Sequence, residues 1–243
     1  MPMRLRAEKR MRKLLLEQLK SRKVEGSRLA QGFKSPTQLQ KLGMAPQVFL
    51  WKNMFSGQVL YSQVPAFHQQ QINQQFIQPN WQNRKPSRRP DLWRVMAVAT
   101  FDNYDYAVAA YQGLVDLRRA RDTVLKDQAQ EMRKKNEEGN IWYSGQYRPT
   151  YTQEAVADLS HVIDEFELEN TEVAWESLWR KGDESVWKPE LVRHTELPAF
   201  NPRDQTVMLD ELRIKALEAF EAERNLHQEQ QQIPADAEAA ATA

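Results

Sequence analysis

"QVFLWKNMFSGQVLYSQV" (residues 47–64) decides how the chain begins to fold. "QVFLWKN" is apolar and rich in β-branched and aromatic side chains, "MFSG" is turn chemistry, and "QVLYSQV" returns in the style of the first arm. The stretch therefore predicts a β-hairpin. After Pro65, "AFHQQQINQQFIQ" (66–78) sets Phe67, Ile72, Phe76 and Ile77 mostly on one helical face, and Pro79 stops the helix. "LWRVMAVATF" (92–101) is too continuously apolar for an edge and predicts a buried strand. From Asn103 the stripe Tyr104, Val108, Tyr111 and Val115 predicts a long helix, which Arg118, Arg119, Arg121 and Lys126 extend as a basic rod toward "RKKNEEG". The expected fold class is α+β, with a small β-β-α-β-α core over residues 46–166.

On either side of that core the composition changes. Residues 1–24 carry nine basic and two acidic side chains, with Met11, Leu14, Leu15 and Leu19 on one stripe, so a basic amphipathic helix is expected. This helix reads as a mitochondrial import signal, a phosphate contact, or both. "EGSRLAQGFKSPTQLQKLGMAP" (25–46) reads as a linker, so residues 1–45 form a basic N-terminal extension. Residues 167–243 read as an acidic C-terminal extension. In it "WESLWRKGDESVWKPE" spaces Trp175, Trp179 and Trp187 among charges, and these rings are expected to pin the segment across the core or a neighbouring protein. Residues 203–232 predict a strong helix with Val207, Leu209, Leu212, Leu217 and Phe220 on its apolar side, and "IPADAEAAATA" predicts a mobile tail.

The net charge of +1 conceals a strong polarity. Residues 1–151 hold 26 Lys and Arg against 12 Asp and Glu, so +14, and residues 152–243 hold 8 against 21, so −13. A basic half of that size attracts polyanions, while the acidic half is repelled by them and suits protein or solvent. Twelve prolines, 41% hydrophobic residues and a mean hydropathy of −0.75 make a modest core with extensions. Cysteine is absent, which excludes disulfides, thiolate metal sites and cysteine nucleophiles. His68, His161, His194 and His227 lie far apart without metal-ligand spacing, and no run of 18 apolar residues exists to span a membrane. No catalytic residue, metal or cofactor is expected.

"PNWQNRKPSRRPDLWR" (79–94) is the densest basic cluster of the core. Arg84, Lys85, Arg88, Arg89 and Arg94 are interleaved with three prolines and accompanied by Trp81 and Trp93, opposed only by Asp91. Proline keeps such a loop extended, a guanidinium can bond two phosphate oxygens at once, and an indole can stack on an unpaired base. Asn80, Gln82 and Asn83 add neutral groups for sugar or base edges. Trp93, at the start of a strand, can equally be buried.

"GNIWYSGQYRPTY" (139–151) has the alternation and the central Ser-Gly of a hairpin or bent loop. Thr150 or Thr152 is expected to cap the following helix, whose apolar stripe is Val156, Leu159, Val162 and Ile163. Tyr143, Ser144 and Tyr147 have no His or Lys close in sequence to act as a base, so the rings read as packing and contact groups. Trp142 and Tyr151 are expected in the core, and Tyr143, Tyr147 and Arg148 are candidates for stacking and phosphate contact, beside Arg118, Arg119 and Arg121.

The β-β-α-β-α order resembles the small endonuclease fold named for its GIY and YIG motifs, in a degenerate form. "QVF" (47–49) stands where GIY would be and "LYS" (60–62) where YIG would be, so Phe49 and Leu60 lack the hydroxyls that chemistry needs, and no arginine lies between Phe67 and Ile77. "GQVLYSQVP", the basic loop, "RRARD" and above all "WYSGQYRPTYTQEAVADL" resemble the fungal mitochondrial homologous recombination protein family, also known as a protein of the mitochondrial large ribosomal subunit. The likeness covers residues 46–166. It implies a non-enzymatic protein of the mitochondrial matrix whose partners are large-subunit rRNA and neighbouring mitochondrial ribosomal proteins. The alternative it implies is a factor that binds mitochondrial DNA in pairing, recombination or transcription.

Overall fold

The computed structural model describes residues 29–77, 85–133, 135, 137, 143–144 and 148–241, with 143–144, 148–149 and 227–241 as backbone alone. The expected hairpin is present: β1 (Gln47–Asn53) pairs antiparallel with β2 (Val59–Ser62). Both strands are buried throughout. The turn is tied by Asn53, whose side chain accepts from the backbone N–H of Phe55 and Ser56. The short helix is α2 (Gln69–Gln75), following α1 (Pro36–Lys41), and His68 caps α2 by accepting from the Gln70 N–H at 3.1 Å.

β3 (Trp93–Thr100) pairs antiparallel with β1, but not in simple alternation. Leu50 faces Ala97 and Trp51 faces Val95, so Met96 is an extra residue, a β-bulge. The bulge turns Trp93 and Val95 to the sheet face of Phe49, Trp51 and Leu60, while Ala97 and Ala99 join Val48, Leu50 and Tyr61 on the other. An uninterrupted period of two would have put all four on one side.

The basic rod is interrupted. α3 (Tyr104–Asp122), capped by the Asn103 side chain on the Tyr106 N–H, ends at Thr123, and α4 (Lys126–Met132) starts anew. The Thr123 hydroxyl donates to the Arg119 carbonyl, and Thr123 leaves helical geometry at φ −120°, ψ −81°. β4 (Tyr143–Ser144) and β5 (Arg148–Pro149) make the small hairpin expected at the Ser-Gly, and α5 (Thr150–Glu165) follows directly. Thr150 and Thr152 thus lie inside α5, and Tyr151 is buried as expected. Trp142 is outside the described residues. α3 and α5 cover one sheet face with Ala107, Ala110, Leu114, Leu159 and Ile163. They approach so closely at Gly113 that a Cβ there would sit 3.0 Å from Val162 and Phe166.

The sheet is larger than the expected unit. β6 (Thr171–Trp175) adds antiparallel to β3, and β7 (Val192–Glu196) adds parallel to β6, giving the order β2-β1-β3-β6-β7. The segment expected to be an acidic extension therefore supplies two strands, because Thr171, Val173 and Trp175 alternate inward while its charges point out. Trp175 and Trp187 are buried and meet edge to face at 6.0 Å. The residues expected to be a linker also belong to the fold: Leu39 is fully buried, and the Tyr104 hydroxyl donates to the Met44 carbonyl. α6 (Gln205–Ala241) is longer than expected, its backbone helical to Ala241, within the stretch expected to be a mobile tail. Its first turns pack Met208 and Leu209 on the second sheet face, and Phe220 meets Tyr104 edge to face at 5.1 Å.

Two glutamines finish the sheet where strands do not. The Gln75 amide accepts from the Tyr61 N–H at 3.0 Å and donates to the Tyr61 carbonyl at 2.8 Å, closing the outer edge of β2. The Gln205 amide does the same at the start of β3, with the Val95 N–H and the Trp93 carbonyl.

Candidate nucleic-acid interface

The basic loop enters β3 through a 3-10 turn at Pro90–Leu92, and it is fixed from beneath. Trp93 is fully buried, in tilted contact with Phe67, and its indole N–H donates to the Ser87 carbonyl at 2.9 Å. Pro86 is buried as well. With the apolar members facing down, Lys85, Arg88 and Arg89 are left exposed. Arg88 donates to the Asn73 side chain on α2 at 3.4 Å. Arg89 forms a two-pronged pair with Asp91, at 3.1 and 2.6 Å, in full solvent exposure. That hydrogen bond holds the Asp91 carboxyl below its ordinary value and raises Arg89. An exposed pair of this kind is held weakly and can exchange its carboxylate for a phosphate. Trp81, Asn83 and Arg84 lie outside the described residues.

Arg94 opens β3 on the face opposite Trp93, half-buried and directly across from Lys52 of β1. Lys52 is 3% exposed and reaches Glu176 at 3.5 Å, and burial lowers its ammonium pKa, with Glu176 opposing that shift. Sequence reasoning missed Lys52, whose signal was its place among apolar neighbours.

The arginines of α3 divide. Arg119 is exposed. Arg118 is 7% exposed, its guanidinium 5.0 Å from the Tyr61 ring centre and 4.6 Å from that of Phe76. Arg121 is paired with Asp158 and lies 3.7 Å from Glu154, which Arg133 grips at 2.5 and 3.1 Å. Burial alone would lower the Arg121 pKa, but the Asp158 hydrogen bond and charge raise it. For Asp158, burial pushes the carboxyl up against the pull of Arg121. Arg118 and Arg121 thus do their electrostatic work within the fold. Their spacing shows why: Arg118 is one turn beyond Leu114 and Arg121 one turn further, facing Glu154 and Asp158, themselves one turn apart on α5.

Tyr143 and Arg148 lie on β4 and β5, in the hairpin that leads into α5, and Tyr147 is outside the described residues. Among the described residues no group of three His, Asp or Glu is arranged for a metal, and no helix is long and apolar enough to cross a membrane. Phe49 and Leu60, which stand at the nuclease-motif positions, are both buried in the core.

A mixed α+β fold with a proline-stiffened arginine loop braced on its own core defines a candidate polyanion-binding protein. A family model described as "Mhr1: Transcriptional regulation of mitochondrial recombination" matches residues 45–128, which run from the hairpin through α3 into α4. The chain is 67% identical over 222 residues to the large ribosomal subunit protein mL67 of Debaryomyces hansenii, covering 91% of this chain and 94% of that one. The protein of the same name from Candida albicans is 66% identical over 220 residues, 90% of this chain and 92% of the other. That of Kluyveromyces lactis is 51% identical over 170 residues, 68% and 78% respectively. The chain belongs to the mL67 family, the family with the Mhr1 domain that its signature motifs resemble.

Proposed function

We propose that this protein is a structural constituent of the mitochondrial large ribosomal subunit, located in the matrix, that clamps rRNA with its basic surface. The observation that carries the reading is the near full-length match to proteins named for the large ribosomal subunit. We assign this role to Lys85, Arg88, Arg89, Arg94 and Arg119, and from the sequence motifs also to Trp81, Asn83, Arg84, Tyr143, Tyr147 and Arg148. Its physical support is that buried Trp93 and Pro86 hold the loop while the cations stay in solvent, so little order has to be created on docking. The role calls for no turnover. Neighbouring ribosomal proteins are the partners of the acidic helix α6.

The description of the family model favours a second reading, in which the same loop holds mitochondrial DNA during recombination or its transcriptional control. Phosphate contacts serve either polymer. Sedimentation of a mitochondrial lysate separates them: stoichiometric protein in large subunits, released by RNase, supports the ribosomal role, and a DNase-sensitive pool supports the other. Arg84, Lys85, Arg88 and Arg89 changed together to alanine should leave the large subunit in a high-salt gradient. Unchanged co-sedimentation would sink the proposed surface.

A further inference from the structure

The acidic half contains one basic, aromatic element, and the fold brings it to the same end of the sheet as the loop. Three tryptophans lie in residues 175–187, yet only Trp179 is in solvent, at 69% exposure against 0% for Trp175 and 7% for Trp187. Trp179 sits in a 3-10 turn at Leu178–Lys181 that Gly182 ends at φ 76°, a left-handed conformation suited to glycine. The turn is anchored from both sides. The Trp187 indole donates to the Lys181 carbonyl at 2.9 Å, and the Glu176 N–H donates to the Met96 carbonyl of β3 at 2.9 Å.

The Trp179 ring is not loose on this turn. The Arg180 guanidinium lies 4.5 Å from its centre, and Arg180 is itself held by Glu176 at 3.0 Å. Glu176 also takes Lys52, which stands across from Arg94. The ends of β1, β3 and β6 thus bring Lys52 and Arg180 onto the Glu176 carboxylate, with Arg94 across from Lys52 and Glu196 accepting the Leu178 N–H at 3.4 Å, so that cations stand beside an oriented indole. An acidic peptide could answer the charge but would leave the open face of the ring uncovered. A nucleotide answers both, because the base covers the indole and the phosphate meets the cations.

We infer that Trp179, backed by Arg180, is a stacking platform for an unpaired base of a single-stranded RNA segment, with Arg94 contacting the adjoining phosphate. RNA bound along the loop at Lys85–Arg89 thereby continues around the start of β3 onto the other sheet face. This inference rests on the RNA-binding reading above and adds to it a preference for unpaired over duplex RNA.

The experiment is fluorescence anisotropy of the full chain with a labelled 12-nucleotide oligoadenylate and, separately, with a 12-base-pair RNA duplex. Trp179→Ala should weaken the single strand about tenfold, Trp179→Phe should stay within about twofold, and the duplex should respond to neither. Arg88→Ala with Arg89→Ala should weaken both ligands. If Trp179→Ala binds the single strand as the unaltered chain does while the loop variant loses affinity, the platform is overturned and the RNA-binding reading stands. If the unaltered chain binds neither RNA, that reading fails and takes the platform with it. A melting temperature lowered by Trp179→Ala, or weakened incorporation into large subunits with unchanged RNA affinity, makes the ring a packing or protein contact and overturns the inference.

Discussion

Arg88 and Arg89 in the loop before β3, and Arg118 and Arg121 near the end of α3, are the same residue type in two opposite settings. The loop pair stands in solvent over a buried tryptophan, with one exposed aspartate for company. The helix pair is turned inward, Arg118 between two aromatic rings and Arg121 against two carboxylates of α5. A basic count therefore measures two different things. In the loop it measures what is available to an outside polyanion, and along α3 it measures how α3 is locked to α5.

The comparison is broken most severely at Asp158. Removing one partner of a buried pair strands the other, so Asp158→Ala should cost about 3 kcal/mol in urea denaturation, and adding Arg121→Met should restore part of it. Arg118→Ala comes next. It gives up the guanidinium contacts with Tyr61 and Phe76 and the packed stem, about 1–2 kcal/mol, whereas Arg88→Ala should change stability by less than about 0.5 kcal/mol. Similar losses at both sites in the same denaturation series would erase the distinction between structural and available arginines.

The smallest effect concerns pH and lies on the acidic side of the molecule. His194 of β7 accepts the Trp175 indole N–H at its Nδ1, 3.0 Å away, and meets Trp187 edge to face at 4.7 Å. Burial, helped by Lys181, lowers its pKa from the ordinary 6.5. The unfolded chain therefore takes up this proton at a higher pH than the folded one, and acid favours unfolding between the two values. Stability should be full above about pH 6.5 and decline as the pH falls toward the folded value. His194→Gln should flatten that part of a melting-temperature profile, and an equally steep profile in the variant would exclude His194 as the source.

The hairpin, β3, α3 and α5 were legible because their side chains alternate or repeat on a single face. The sheet's last two strands were hidden by charge. "TEVAW" does alternate, yet it lies in an acidic run, and its partner Ala97 is far away in sequence. "VRHTE" carries no apolar alternation at all, since only Val192 is buried in it. The bulge at Met96 was invisible because a run with no polar residue gives no sign of which face each member takes. At the candidate site the loop cations were legible from density and proline spacing, while the inward turn of Arg118 and Arg121 was encoded in helical spacing that a count of charges overlooks. Trp93 was readable either as a ligand or as an anchor, and packing against Phe67 made it the anchor.

The amides of Gln75 and Gln205 stand in for a missing strand without carrying charge. Ionic strength that weakens the exposed lysine and arginine contacts leaves these two seals untouched, as does the field of a nearby polyanion. The edge of β2 and the opening of β3 therefore keep their shape whether or not the neighbouring cations are neutralised. The loop can exchange its counter-ions on a frame that does not respond to them.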